Sequence, residues 1–248
     1  MIYRYMWFYK NKKRINMRIL GIESSSLVAG VAILEDESII AEYNVNYKKT
    51  HSQTLLPMLE EIVSRIDFDL KTIDAIAVSA GPGSFTGLRI GVATAKGLGL
   101  GLDKPLIAVP TLDATAYNIS NTKSLICPIM DARRQQVYTG VYRNDKEFKV
   151  VEAAAATDIN DLLEKLKDFN EEVIFLGDGV PVYKSIIEEN AKFDFCFALP
   201  GQSRQRAGSL VSLAASYFKK GKLVSADEML PEYLRLSQAE REREFGKS

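Results

Sequence analysis

"SAGPGSFTGLRIGVATAKGLGLGL" (residues 79–102) holds seven glycines between Gly81 and Gly101, in a stretch whose other residues read mostly as helix. Each glycine inside a helix costs about 0.8–1 kcal/mol relative to alanine, so this composition demands a compensating gain. A phosphate-cradling loop, a membrane segment, or a surface where another backbone comes very close would each supply one. Spacing speaks against the first. No G-x-x-x-x-G-K-[ST] can be read, and Gly81, Gly83 and Gly87 are one residue too widely spaced for G-x-G-x-x-G. Arg89 and Lys96 divide the stretch, which leaves it short of the roughly 18 uninterrupted apolar residues of a membrane span.

Close approach remains. At 100° per residue, Gly87, Gly91, Ala95 and Gly99 form a small-residue strip flanked by Leu88, Val92, Leu98 and Leu102, while Ile90, Gly97 and Gly101 lie on another side. A helix that is apolar nearly all round is buried on more than one side. Small residues let a second helix lie at backbone distance. The expectation is that one side packs on the chain's own sheet while the strip meets a partner; the alternative, in which the neighbouring helix 54–66 fills that side, stays open.

Outward from this helix the pattern alternates. Strands are expected at 19–23, 27–34 and 39–45, with "EDES" (35–38) as a turn. "HSQTLLPMLEEIVSRI" then switches to helical period: Leu55, Leu59, Ile62, Val63 and Ile66 share a face, and Leu56, Met58 and Val63 extend it. Ser52 or Thr54 is the expected N-cap, with Pro57 in the first turn. Strands 73–80 and 105–110 follow on either side of the glycine helix, then a short helix 111–119 capped by Thr111. The second half repeats the theme: three strands (124–132, 135–143, 147–156), a helix (158–166), a strand (172–177), a helix (181–189) and a strand (193–199). An amphipathic helix over 207–221 closes the series. Two consecutive β-β-β-α-β-α units make the class α/β, a duplicated domain with a cleft between the copies.

The expected organisation is an N-terminal extension (1–16), a first lobe (17–104 plus 207–236), a second lobe (105–206) and a charged tail (237–248). Charge balances at 32 basic and 32 acidic residues, against a protein that coats nucleic acid or membrane by itself. Residues 1–16 carry five basic side chains, five aromatics and no acidic residue, and read as an upstream-start extension or a basic-aromatic arm that touches RNA. Broken by Arg4 and Lys10, they do not form a signal peptide, and a cytoplasmic location is expected. Cys127 and Cys196, both in apolar strand-like runs, are expected to be buried reduced thiols.

One histidine, His51, leaves no pair of imidazoles for a zinc or iron site, so no metal is expected. "GxSxG" is absent too, and His51, just before a helix, is assigned a capping or hydrogen-bonding role.

"GPGSFTGLRIGVATAKGL", with "HSQTLLPML", "IDAIAVSAGPG", "DARRQQVY", "GDG" (177–179) and "PEYLR" (231–235), resembles the TsaB (YeaZ) family from about Met17 to Arg235. That resemblance implies the two-lobed actin/Hsp70/sugar-kinase fold and a part in making threonylcarbamoyladenosine beside the anticodon of tRNAs that read codons beginning with A. It implies a non-catalytic subunit that pairs with TsaD, the transferase, in an assembly joined by the ATPase TsaE and reaching tRNA only through the complex. Pairing in the family uses two helices per subunit, which match 54–66 and 86–102 here. The residues so assigned are Leu55, Leu56, Met58, Leu59, Ile62 and Val63 with Gly87, Leu88, Gly91, Val92, Ala95, Leu98 and Gly99. A homodimer through the same helices is expected when the chain is alone.

Departures from working superfamily members fit a pseudo-enzyme with no cofactor of its own. "GIESSS" offers Glu23 but no following glycine, and "MDARRQQ" has Asp131 with Arg133 and Arg134 in the turn. A Cβ there keeps the backbone off a phosphate. Glu23, Asp131, Gly177, Asp178 and Gly179 are the residues left for any nucleotide contact. The competing reading is a stand-alone ATP-using phosphotransferase or ATPase of that superfamily.

Overall fold

The computed structural model describes residues 16–47 and 50–234. The expectations for residues 1–15 and for the tail 237–248 lie outside the described residues.

The chain starts with three antiparallel strands, β1 (Arg18–Glu23), β2 (Val28–Glu35) and β3 (Ser38–Asn46). Helix α1 (His51–Arg65) follows, then β4 (Ala75–Gly81), helix α2 (Phe85–Leu102) and β5 (Leu106–Pro110). These strands make one sheet in the order β3-β2-β1-β4-β5, with β4 and β5 parallel to their inner neighbours. After α3 (Thr111–Ala116) the pattern recurs: β6 (Thr122–Asp131), β7 (Gln136–Asn144), β8 (Phe148–Asp158), α4 (Ile159–Lys167), β9 (Val173–Leu176), α5 (Val180–Asn190) and β10 (Phe195–Phe197). The second sheet runs β8-β7-β6-β9-β10, the same connectivity as the first. This is the duplicated β-β-β-α-β-α plan of the actin/Hsp70/sugar-kinase fold.

Alternation along each strand divides the side chains between two layers. Leu20, Ile22, Val31, Ile33, Ile76 and Val78 face α1 and α2, whereas Ile19, Ala32, Leu34, Ala77 and Val109 face α6 (Ala207–Lys219). On the second sheet, Leu125, Cys127, Ile129 and Phe175 pack under α4 and α5. Ile126, Met130, Tyr142 and Leu176 take Leu112 and Ala116 of α3 on the other face. Ala114 of that same short helix joins the layer under α6, so α3 lies between the two sheets.

Several expectations need correction. A lobe boundary after Lys104 assigns 105–110 to the second half, yet this strand pairs in parallel with β4 in the first sheet. Helix α1 starts at His51 on Thr50, which makes no side-chain cap bond; neither Ser52 nor Thr54 is the N-cap, and Thr54 Oγ1 instead bonds back to the Thr50 carbonyl. Pro57 consequently falls in the second turn, where its missing N–H leaves the Gln53 carbonyl without a helical donor. Thr111 does not cap α3: Pro110 holds that position, and Thr111 Oγ1 is buried without a partner among the described residues. Cys127 is buried as expected, but Cys196 is exposed, because β10 is a short edge strand.

Candidate docking face and interlobe cleft

The glycines of α2 divide into two groups with opposite surroundings. A Cβ at Gly87 would strike the Ser24 carbonyl, and one at Gly91 the Ser24 hydroxyl, both in the β1–β2 turn. A Cβ at Gly99 would meet Leu106 Cδ2 at 2.9 Å and the Lys104 carbonyl at 3.1 Å. Ser24 Oγ donates to the Gly87 carbonyl at 2.9 Å, and Ser84 N donates to the Ser25 carbonyl at 2.7 Å. Gly87, Gly91 and Gly99 are thus closed off by the chain's own β1–β2 turn and the residues that lead into β5. Their expected assignment to a partner is incorrect.

Burial agrees. Leu88, Val92 and Ala95 are enclosed with the strip, as are Leu55, Met58, Leu59 and Ile62 of α1. Full burial of a valine, leucine, isoleucine or methionine stabilises the fold by about 1.5–3 kcal/mol each, so these residues are core. Of the assigned positions, Leu56 is exposed, and Val63 and Leu98 are half-buried.

The open side of α2 carries Thr86, Arg89, Ala93, Gly97, Leu100 and Gly101, with Ile90 and Thr94 half-buried beside them. Among the described residues, Cβ atoms at Gly97 and Gly101 would meet nothing within 4 Å. Ala93, Gly97 and Gly101, spaced by four, make a second small-residue strip facing outward. Leu100 (64% exposed) adds bare aliphatic surface on the same helix, and Leu56 (53% exposed) does so on α1. The two charged residues of α2 are occupied at the margin. Arg89 stacks on Phe85 and its Nε donates to Tyr233 Oη at 3.2 Å; Lys96 Nζ donates to the Met229 carbonyl at 3.2 Å. Both hold down the segment after α6. The signal for the outer strip was present in the sequence as Gly97, inside the helix and without a Cβ atom, four residues before Gly101.

His51 makes the expected hydrogen bond: its Nε2 lies 3.1 Å from the Val28 carbonyl, which can only accept, so Nε2 carries the proton.

Of the five residues assigned to a nucleotide site, Asp131, Gly177, Asp178 and Gly179 are engaged by the protein itself, and Glu23 is buried with one oxygen bonded. Glu23 is 1% exposed; its Oε1 accepts from Ser25 N and Oγ, while Oε2 finds no partner among the described residues. Burial pushes this carboxyl above the usual carboxylate range. Asp131 Oδ1 accepts from Arg133 N at 2.8 Å and Tyr183 Oη at 2.9 Å. Gly177 N donates to the Ser203 carbonyl and Gly179 N to the Ile129 carbonyl, leaving neither amide for a phosphate. Both glycines are explained by β6, since a Cβ on either would run into the Ile129 carbonyl. Asp178, likewise raised by burial, accepts from Gln205 Nε2 at 3.1 Å. Gln205, 1% exposed, accepts in turn from Ser26 Oγ at 3.0 Å, and so bridges the β1–β2 turn of the first sheet to the β9–α5 turn of the second.

Among the described residues no group of histidine, cysteine, aspartate and glutamate could hold a metal ion, and no helix is long and apolar enough to cross a membrane.

Comparison with known proteins places this geometry in context. Residues 38–243 match the family profile of TsaD, tRNA N6-adenosine threonylcarbamoyltransferase. The tRNA threonylcarbamoyladenosine biosynthesis protein TsaB of Bacillus subtilis is 36% identical over 226 residues, covering 90% of this chain and 96% of the relative. The protein of the same description from Escherichia coli is 30% identical, covering 88% and 95%. Among solved structures, YeaZ from Pseudomonas aeruginosa superposes with a TM-score of 0.73 at 26% identity, over 88% of this chain and all of that one.

Proposed function

The chain belongs to the TsaB family, and from that premise we propose that it serves tRNA threonylcarbamoyladenosine biosynthesis as a non-catalytic subunit that pairs with TsaD. The docking face is the outer side of the α1–α2 pair: Ala93, Gly97 and Gly101 with Leu56, Ile90 and Leu100. Gly97 and Gly101 carry this reading. Gly97 sits inside the helix, where alanine would be more stable, Gly101 lies in its last turn, and nothing among the described residues fills the space a side chain at either would take. Helices meet closely over such small-residue strips. The absence of chemistry of its own is supported by the cleft, where Asp131, Asp178, Gly177 and Gly179 are engaged by the protein itself.

Measuring the mass in solution of the chain with equimolar TsaD, for wild type and Gly97→Leu/Gly101→Leu, tests the proposal. Wild type should form a heterodimer, and the variant should stay folded and unpaired. Normal pairing by the variant removes the docking assignment; a wild type that ignores TsaD removes the proposal itself.

A further inference from the structure

Left-handed backbone at non-glycine residues follows a simple rule over most of this chain. Asp36, Asp67, Asp103, Asn121 and Asn170 each adopt it singly, and aspartate and asparagine tolerate that region best. The turn from β6 to β7 breaks the rule. Arg133 (φ 67°), Arg134 (φ 56°) and Gln135 (φ 59°) are left-handed in succession, with two arginines where glycine or asparagine would be less strained.

The turn is held firmly from behind. Ala132 N donates to the Gln136 carbonyl at 2.9 Å, Gln136 N to the Arg133 carbonyl at 3.1 Å, and Ile159 N to the Gln135 carbonyl at 3.1 Å. Asp131 takes the Arg133 amide and, at 3.3 Å, its guanidinium, although 87% of that side chain is exposed. Outward the turn offers unused donors. Arg133, Arg134 and Gln135 are exposed, and the Arg134 guanidinium and the Arg134 and Gln135 amides meet no acceptor among the described residues. The free Arg134 guanidinium and the two free amides, next to an exposed Arg133 guanidinium held only by Asp131, suit phosphate oxygens, which arginine binds in a bidentate fork.

We propose that the Arg133–Arg134 turn contacts the phosphodiester backbone of the RNA on which the pathway acts. This rests on the function proposed above, but not on its docking face: the turn belongs to the second sheet and α1–α2 to the first. A free nucleotide is the less suitable phosphate source, because the turn is exposed and the nearby glycine amides at 177 and 179 are engaged.

The test measures binding of an unmodified tRNA transcript to the complex with TsaD over a salt series. For Arg133→Ala/Arg134→Ala, Kd should rise about tenfold and the slope of log K against log salt should fall by about 1–2. Arg133→Lys/Arg134→Lys should keep most of the slope. Arg133→Gly/Arg134→Gly should lose RNA affinity like the alanine pair while melting no lower than wild type, since glycine adopts positive φ freely. Wild-type affinity and slope in the alanine pair would overturn the proposal, as would a glycine pair that binds RNA normally. Loss of TsaD pairing in step with RNA affinity would mark a protein contact instead. A change confined to ADP binding by the chain alone would mark a nucleotide site. Either result also overturns it.

Discussion

Ser24 Oγ donates a 2.9 Å hydrogen bond to the carbonyl oxygen of Gly87, and through it the β1–β2 turn sits against the inner side of α2. That contact fixes which strip of small residues is inside and which is outside. Alanine substitutions along the helix should therefore have opposite signs. Gly91→Ala drives a methyl into the Ser24 hydroxyl and should destabilise the chain by about 1–3 kcal/mol. Gly97→Ala enters open space and should stabilise the isolated monomer by about 0.8–1 kcal/mol through helix propensity alone. Urea denaturation of the two variants compares them; equal effects would mean that the strips are not distinguished by packing.

The first turn of α6 is held by β3. Glu42 accepts from Gly208 N and from Arg206, and Asn44 Oδ1 accepts from Ala207 N. Burial alone would raise the Glu42 carboxyl, but hydrogen bonds from Arg206, Asn44 and Gly208 outweigh it and hold the group below its ordinary value. A carboxylate with a depressed folded pKa contributes stability that is fully present above the unfolded value, near 4.5, and is lost as pH falls through the folded value. Glu42→Gln should accordingly lower stability at pH 7 and flatten its dependence on pH below about 4.5. A variant whose acid limb parallels that of wild type would place the titration elsewhere.

Gln205 joins the two halves through single hydrogen bonds to Ser26 and Asp178. Gln205→Ala takes the acceptor from the Ser26 hydroxyl, which keeps only the Val28 amide, and a donor from half-buried Asp178, and should cost about 1–3 kcal/mol in all, read as a lower denaturation midpoint. Asp178→Asn keeps a carbonyl for Gln205 and removes a carboxyl that burial disfavours, so its loss should be smaller. If the aspartate variant is the worse of the two, Gln205 is not the bridge.

The cysteines should report folding directly. Cys127 is enclosed in the second sheet against Thr139, and burial pushes its thiol up to about 12. Cys196 is exposed on β10. A thiol reagent at pH 8 should modify one cysteine per native chain quickly and the second only as the chain unfolds. Fast reaction of both would show that β6 is not enclosed.

The order of elements was legible because each rests on local chemistry. Alternating apolar residues in β1, β2 and β6, the 3.6 period from Leu55 to Ile62, and the β-β-β-α-β-α succession all follow from neighbours a few residues apart. The same is true of the close approach along α2, since only small residues permit it. Which side of α2 was approached could not be read. Gly87–Gly91–Ala95–Gly99 and Ala93–Gly97–Gly101 are alike in bulk and polarity, and what separates them is that the β1–β2 turn, some sixty residues upstream, and the start of β5 reach the first. Partnership between distant segments also decided that residues 106–110 complete the first sheet, through parallel pairing with β4, and that Cys196 lies at an edge. Periodicity tells a strand that it has two faces; only the strands beside it determine which sheet it joins and whether either face is covered.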